Sequence, residues 1–251
     1  MRSRWFVVVA LAAVTLVAGC TAAVGGTARR APGPTPRSLT GQAIERVLLG
    51  NRTLSRILKQ PLNLDPRFPP RFGGPEELQD DALGSPADCL GVAAMLQHSV
   101  YQFARVTNVA VETWRHRAVS AEVTSVKEAV VSVPTAADAD ALFASFSRQW
   151  QKCDGAAMSL PGSIFRLQGK ISDVHVATSL LAATVSIGWT SARPDSASIP
   201  AGRAIGVRGN CLIEVEVDFF HPSNPSRGPG DIDNTATDVA HSMMDRVSAL
   251  I

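Results

Sequence analysis

From residue 106 onward the chain carries one valine- and isoleucine-rich stretch after another, and most are separated only by turns. Strand candidates fall at 106–114 and 121–133, then at 164–168, 172–178, 180–190, 204–208 and 211–220. A parallel pair needs a crossover of a dozen or more residues, usually a helix, whereas antiparallel neighbours join through short turns. One helical pattern interrupts the series, and others flank it. The order helices, strands, helix, strands, helix predicts an α+β fold: a largely antiparallel sheet packed with helices in a single domain.

The helical segments follow from apolar spacing. A first helix is predicted from about Thr40, with Ile44, Val47 and Leu48 on one face. Gly50-Asn51 interrupts it, and Leu54, Ile57 and Leu58 resume the pattern. Residues 61–75, PLNLDPRFPPRFGGP, hold five prolines and exclude regular helix. A second helix is predicted from about Pro86 to Phe103, where Cys89, Val92, Leu96, Val100 and Phe103 form one stripe with Met95 beside it. Thr135 and Asp138 have the spacing of a capping pair. They open a third helix whose face carries Ala139, Leu142, Phe143, Phe146, Trp150 and Cys153. Residues 221–230, HPSNPSRGPG, read as a loop. A last helix over about 232–250 turns Val239, Ala240, Met243, Val247 and Leu250 inward.

The start of the chain has a different character. Residues 1–4, MRSR, carry two positive charges, and residues 5–19 carry none. An apolar run of about fifteen residues is short for a membrane-spanning helix, which needs about twenty, but it suits a signal-peptide core behind a basic flank. The run ends in Leu16-x-Ala18-Gly19-Cys20, which resembles a bacterial lipobox. That resemblance implies cleavage before Cys20 and acylation of Cys20, and acyl chains give membrane attachment at about 0.8 kcal/mol per buried methylene. Residues 21–37 are rich in glycine, proline and small residues without periodicity, and read as a flexible tether. The expected organisation is a lipoprotein signal over 1–19, a lipidated cysteine and tether over 20–39, and a folded domain over 40–251. Without Arg2 and Arg4 the chain has 22 basic and 22 acidic residues, with no block of like charge. That balance argues against nucleic acid and against electrostatic attraction to a membrane surface as partners.

Export permits disulfides, so the three remaining cysteines predict one bridge and one odd thiol. Cys89 and Cys153 lie on the apolar stripes of two predicted helices and form the expected pair. Cys211 sits in a strand and reads as a small buried hydrophobe. Three cysteines this far apart, with no C-x-x-C, do not make a zinc site.

Catalytic motifs are missing from the sequence. There is no G-x-S-x-G, no phosphate-binding G-x-x-x-x-G-K-[ST] and no H-E-x-x-H. His98 and His175 read as boundary residues beside apolar positions. Asp231, Asp233 and Thr235 have the first spacings of a calcium loop. Ala236 stands where glycine is needed and Ser242 where glutamate is needed, so these residues read as the start of the last helix. Glu214, Glu216 and Asp218 alternate with Val215 and Val217, which puts three carboxylates on one strand face, either solvated or along one wall of a cleft. No cofactor and no enzymatic activity are expected.

Two cysteine motifs carry a family resemblance. Asp88-Cys89-Leu90-Gly91 with Ser99-Val100-Tyr101, and Ala129-Val130-Val131-Ser132-Val133-Pro134 followed by a helix ending in Gln149-Trp150-Gln151-Lys152-Cys153-Asp154-Gly155, resemble the extracellular sensor domain of the mycobacterial Ser/Thr kinase PknH and related lipoproteins. Arg203-Ala204-Ile205 through Asn210 to Glu214-Val215 is similar to a late strand of that family. The resemblance spans roughly residues 40–251. It implies an antiparallel sheet with helices framing a cleft, an unidentified ligand and no catalysis. Many members carry a second disulfide at positions matching Ala201 and Asp218, so that bridge is missing here, and Cys211 takes a place that is usually aliphatic.

The expected function is therefore a membrane-anchored, envelope-facing sensor-like module that binds a small or glycan-like ligand. The alternatives are an interaction lipoprotein that binds another envelope protein, through the proline-rich 61–75 segment and without a ligand cleft, and last a hydrolase using the strand carboxylates. A deep pocket of mixed polarity favours the first, and an exposed apolar patch without a pocket favours the second.

Overall fold

The computed structural model describes residues 37–80, 84–117, 122–160, 167–189, 198–220 and 232–251. The leader, Cys20 and the tether as far as residue 36 lie outside the described residues, as do the 221–230 loop and Asp231.

Nine strands make one sheet: β1 (Leu62–Leu64), β2 (Arg71–Gly73), β3 (Asn108–His116), β4 (Val123–Ser132), β5 (Ala157–Leu160), β6 (Leu167–Val176), β7 (Leu180–Trp189), β8 (Ile199–Arg208) and β9 (Cys211–Phe219). Their order is β1-β3-β4-β9-β8-β7-β6-β5, with β2 also on β3, and every strand pairing is antiparallel. The helices are α1 (Gly50–Ile57), α2 (Leu90–Ala93), α3 (His98–Tyr101), α4 (Ala136–Cys153) and α5 (Ile232–Leu250).

Strand residues alternate between the two faces of the sheet, and each face carries a buried core. One face packs Val109, Val131, Ile171, Leu181 and Leu212 against α4 and the α2–α3 segment. The other packs Ala110, Val126, Ile213, Val215 and Val217 against α5, α1 and a 3-10 segment at Gly41–Val47. The capping box expected at α4 is formed: Thr135 Oγ1 accepts from Asp138 N, and Asp138 Oδ2 accepts from Thr135 N, each at 3.1 Å. On α5, Val239, Ala240, Met243 and Val247 are buried as expected. That helix lies so close to β8 that a Cβ on Gly206 would stand 2.5 Å from Met244 Sδ.

The chain enters this unit at Leu39, which is buried, one residue before the expected boundary. Asn210 clamps the entry: its side chain accepts from Leu39 N (2.7 Å) and donates to the carbonyls of Leu39 (2.9 Å) and Val133 (2.7 Å). The expected break at Gly50-Asn51 separates the 3-10 segment from α1, and Gly50 has φ +71°.

Three expectations are corrected. Pro86–Phe103 is not one helix. A 3-10 turn at Ala87–Cys89 leads into the single turn α2, Ala94 is extended, Leu96 has φ +57°, and α3 follows. The cause is tertiary. Leu96 N donates to Glu214 Oε1 (3.1 Å), Arg203 takes the carbonyls of Gly91 (3.3 Å) and Val92 (3.0 Å), and Gln79 bonds the backbone of Leu96 and His98. A continuous helix would have consumed these backbone groups itself. Phe103, placed on the core stripe by spacing, is 93% exposed, and Tyr101 is buried in its stead, edge-on to Phe146 at 5.5 Å. Second, the proline-rich 61–75 segment avoids helix as expected but supplies β1 and β2, which spacing did not reveal. Third, β5 was not expected, and 172–178 merges with the end of 164–168 into the single strand β6, broken by a bulge near Asp173 (φ +56°).

Candidate ligand cleft

Three adjacent strands leave part of the α4-side face without a helix. β3 contributes Val111 and Thr113, β4 Ser125 and Lys127, and β9 Glu216 and Asp218. The register sets them in rows: Thr113 opposes Lys127, which opposes Glu216, which opposes Arg203, and in the next row Ser125 opposes Asp218. Hydroxyl, cation and anion thus alternate across the floor.

The proline-rich segment forms the wall. Because β1 and β2 both pair with β3, the chain between them must arch outward beside Thr113. Asp65 closes that arch. Its carboxylate accepts from Arg67 N (3.0 Å), Nε (3.0 Å) and Nη2 (2.6 Å), and its own N–H bonds to Thr113 O (2.9 Å). The Arg67 side-chain bonds hold the Asp65 carboxyl down at about 2. Phe68, Pro69, Arg71 and Gln79 complete the wall, with Arg71 bonded to Glu77 at 3.2 Å. The enclosed cleft measures about 500 Å³, a size typical of small-molecule sites, about 300–1,000 Å³.

Beside the cleft, on the same face of the sheet, lies a buried ion pair. Arg203 Nη2 meets Glu214 Oε2 at 3.1 Å, and Tyr101 Oη donates to Glu214 Oε1 at 2.6 Å. Burial raises the Tyr101 phenol well above its usual range. Glu214, expected on one face with Glu216 and Asp218, is therefore sealed under the α2–α3 segment, and only the latter two line the cleft. Glu216 Oε2 stands 3.8 Å from Arg203 Nε, and Asp218 Oδ2 accepts from Ser125 Oγ at 2.5 Å. Burial raises both carboxyls, against the pull of Arg203 on Glu216 and of the Ser125 bond on Asp218. Burial lowers the Lys127 ammonium, against the pull of Glu216.

Thr113, Ser125 and Lys127 were missed in the sequence. The signal was available: Ser125 and Lys127 occupy alternate positions of a valine-rich strand, the same pattern that drew attention to Glu216 and Asp218. His98 and His175 are exposed and away from the cleft. Among the described residues no three His, Cys, Asp or Glu side chains are placed to hold a metal ion. Cys89 and Cys153 are disulfide-bonded (S–S 2.09 Å), joining the 3-10 turn before α2 to the end of α4. Cys211 is a free, buried thiol that burial pushes up to about 12.

A second polar cluster lies on the α5 side. Glu128 of β4 is fully buried and accepts from Leu49 N and Trp114 Nε1, both at 3.0 Å. Burial raises its carboxyl to about 7, with the cross-strand Glu112 adding to the rise.

A family model described as the PknH-like extracellular domain matches residues 39–246. The chain belongs to the PknH-like extracellular domain family. The crystal structure of the extracellular domain of PknH from Mycobacterium tuberculosis superposes with a TM-score of 0.66 at 18% identity, covering 86% of this chain and 100% of that one. At that identity the likeness establishes the shared fold. An uncharacterised protein from Mycobacterium smegmatis aligns at a TM-score of 0.40 and 12% identity, over 82% of this chain and 96% of its own. No curated protein matches. The family description makes such a domain an extracytoplasmic, sensor-like module. Ala201 and Asp218 are direct cross-strand partners here. In this PknH-like domain one of them supplies a carboxylate to the cleft floor.

Proposed function

We propose that the chain is a lipid-anchored, envelope-facing binding module, held through Cys20, whose cleft takes a small polar, glycan-like ligand and acts as a sensor. The observation that carries this reading is the cleft of about 500 Å³ lined by both signs of charge. Among the described residues Lys127 and Glu216 make no hydrogen bond there. Both are partly open to solvent, so a polar ligand can replace water at them without breaking a bond within the protein. Thr113, Ser125 and Gln79 add neutral donors and acceptors, and Phe68, 57% exposed, adds an aromatic rim.

The test is to incubate the full chain in detergent with cell-envelope extract, wash it, denature it and identify released small molecules by mass spectrometry. A polar compound retained by the wild-type chain and lost with Lys127→Ala is expected. Retention that Lys127→Ala leaves unchanged would count against the cleft.

A second reading rests on Leu64, Phe68 and Phe72, which the proline-rich segment exposes at four-residue intervals. On this reading the segment docks another envelope protein. Crosslinking from position 72 to a protein, with no small molecule retained in the cleft, would favour it.

A further inference from the structure

The charges around the cleft do not balance. Arg67 is answered by Asp65 at 2.6 Å and Arg71 by Glu77 at 3.2 Å, while Arg203 is shared by Glu214 at 3.1 Å and Glu216 at 3.8 Å. In and beside the cleft, the two cations Arg203 and Lys127 then face three carboxyls, Glu214, Glu216 and Asp218. Lys127 and Glu216 are cross-strand partners and offset each other, although their charged atoms do not come within ion-pairing distance. The Asp218 carboxyl has only the neutral Ser125 hydroxyl.

From this arrangement we propose that the ligand carries a protonated amine among hydroxyl groups, the chemistry of an amino sugar, with its ammonium seated between Glu216 and Asp218. This rests on the cleft reading above. Glu216 and Asp218 are two residues apart on one strand, so their Cα atoms stand about 6.6 Å apart on the same face. An ammonium between two carboxylates can bond both at about 2.7–2.9 Å. An anionic ligand fits less well: two carboxylates would face it, and the arginines are already engaged. The ring hydroxyls of a sugar fall to Lys127, Thr113 and Gln79, which donate or accept without adding negative charge. The exposed ring of Phe68 offers apolar surface to the hydrocarbon face of the sugar.

The experiment compares three β-1,4-linked disaccharides that differ only in the substituent at carbon 2: an amine (the glucosamine disaccharide), an N-acetyl group (diacetylchitobiose) and a hydroxyl (cellobiose). Binding to the full chain in detergent is measured by calorimetry at pH 7 and low salt. A charge-assisted hydrogen bond is worth about 1.5–3 kcal/mol, so the amine should bind about tenfold or more tighter than the other two. Asp218→Asn, which keeps the shape and the Ser125 contact, and Glu216→Gln should each erode that preference, and their combination should abolish it. Circular dichroism confirms that each variant folds. Equal binding of the three sugars, lost on Lys127→Ala, would overturn the amine proposal and leave the cleft reading standing. No binding by any of them would overturn both. A preference that survives in the Glu216→Gln/Asp218→Asn chain would place the amine elsewhere and also refute the proposal.

Discussion

Raising the pH from 5 to 8 should destabilise the fold through Glu128. This carboxyl is wholly buried and titrates at about 7 instead of 4.5. Burial is the main cause, and the half-buried Glu112 directly across the strand pair adds repulsion. Glu112 in turn feels Glu45 of the 3-10 segment and Arg246 of α5. The folded chain holds the Glu128 proton over a range where the unfolded chain has released it. Stability from this group is therefore fully present below about pH 4.5, declines as pH rises and is gone above about pH 7. The difference between the two states corresponds to roughly 3 kcal/mol, most of which falls between pH 5 and 8. Glu128→Gln removes the titration. It also turns an amide N–H toward one of the two donors, Leu49 N or Trp114 Nε1, at a cost of about 1–3 kcal/mol at every pH. Glu216 and Asp218 shift in the same direction and slope both chains equally, so the comparison isolates Glu128. The assay is urea unfolding followed by circular dichroism from pH 5 to 8. The wild-type curve should lose roughly 2–3 kcal/mol more than the Glu128→Gln curve. Two parallel curves would refute the reasoning.

Replacing both Cys89 and Cys153 with alanine should cost about 2–5 kcal/mol in urea unfolding, since the bridge closes a long loop in the unfolded chain. Cys211 should react slowly with a thiol reagent in the native protein and fast in denaturant, and fast native labelling would contradict its burial. Cys20→Ala should leave the chain unprocessed and without an acyl mass increment, and a mature-size, acylated product would refute the lipobox reading.

What the sequence disclosed, and what it did not, divides along the range of the interactions. The start of α4 was legible because Thr135 and Asp138 satisfy each other three residues apart. The faces of α4 and α5 were legible because 3.6-residue spacing is local, and the alternation in β9 showed its two faces. The 86–103 segment was misread because its apolar stripe is real, while the groups that break the helix, Arg203 and Glu214, lie more than a hundred residues away. The cleft was half legible. Glu216 and Asp218 stood out on one strand, but Thr113, Ser125 and Lys127 become their neighbours only through the β3–β4–β9 register, which no local pattern encodes. Glu214 shares their alternation and was grouped with them, yet the segment packed over it makes it part of the core.

The Asn210 clamp has a consequence for how the molecule can be handled. Leu39 is fastened at the β8–β9 turn, and Ile251 packs beside Gly209 in the same turn. The cleft lies at the other end of those strands: Ser132 pairs with Cys211 near the clamp and Ser125 with Asp218 in the cleft, seven residues along, or roughly 23 Å. A fluorophore, a biosensor chip or a carrier protein joined before residue 38 or after residue 251 would thus be coupled at the end opposite the mouth. Immobilised copies would keep that mouth open to solution, even for an oligosaccharide longer than the cleft.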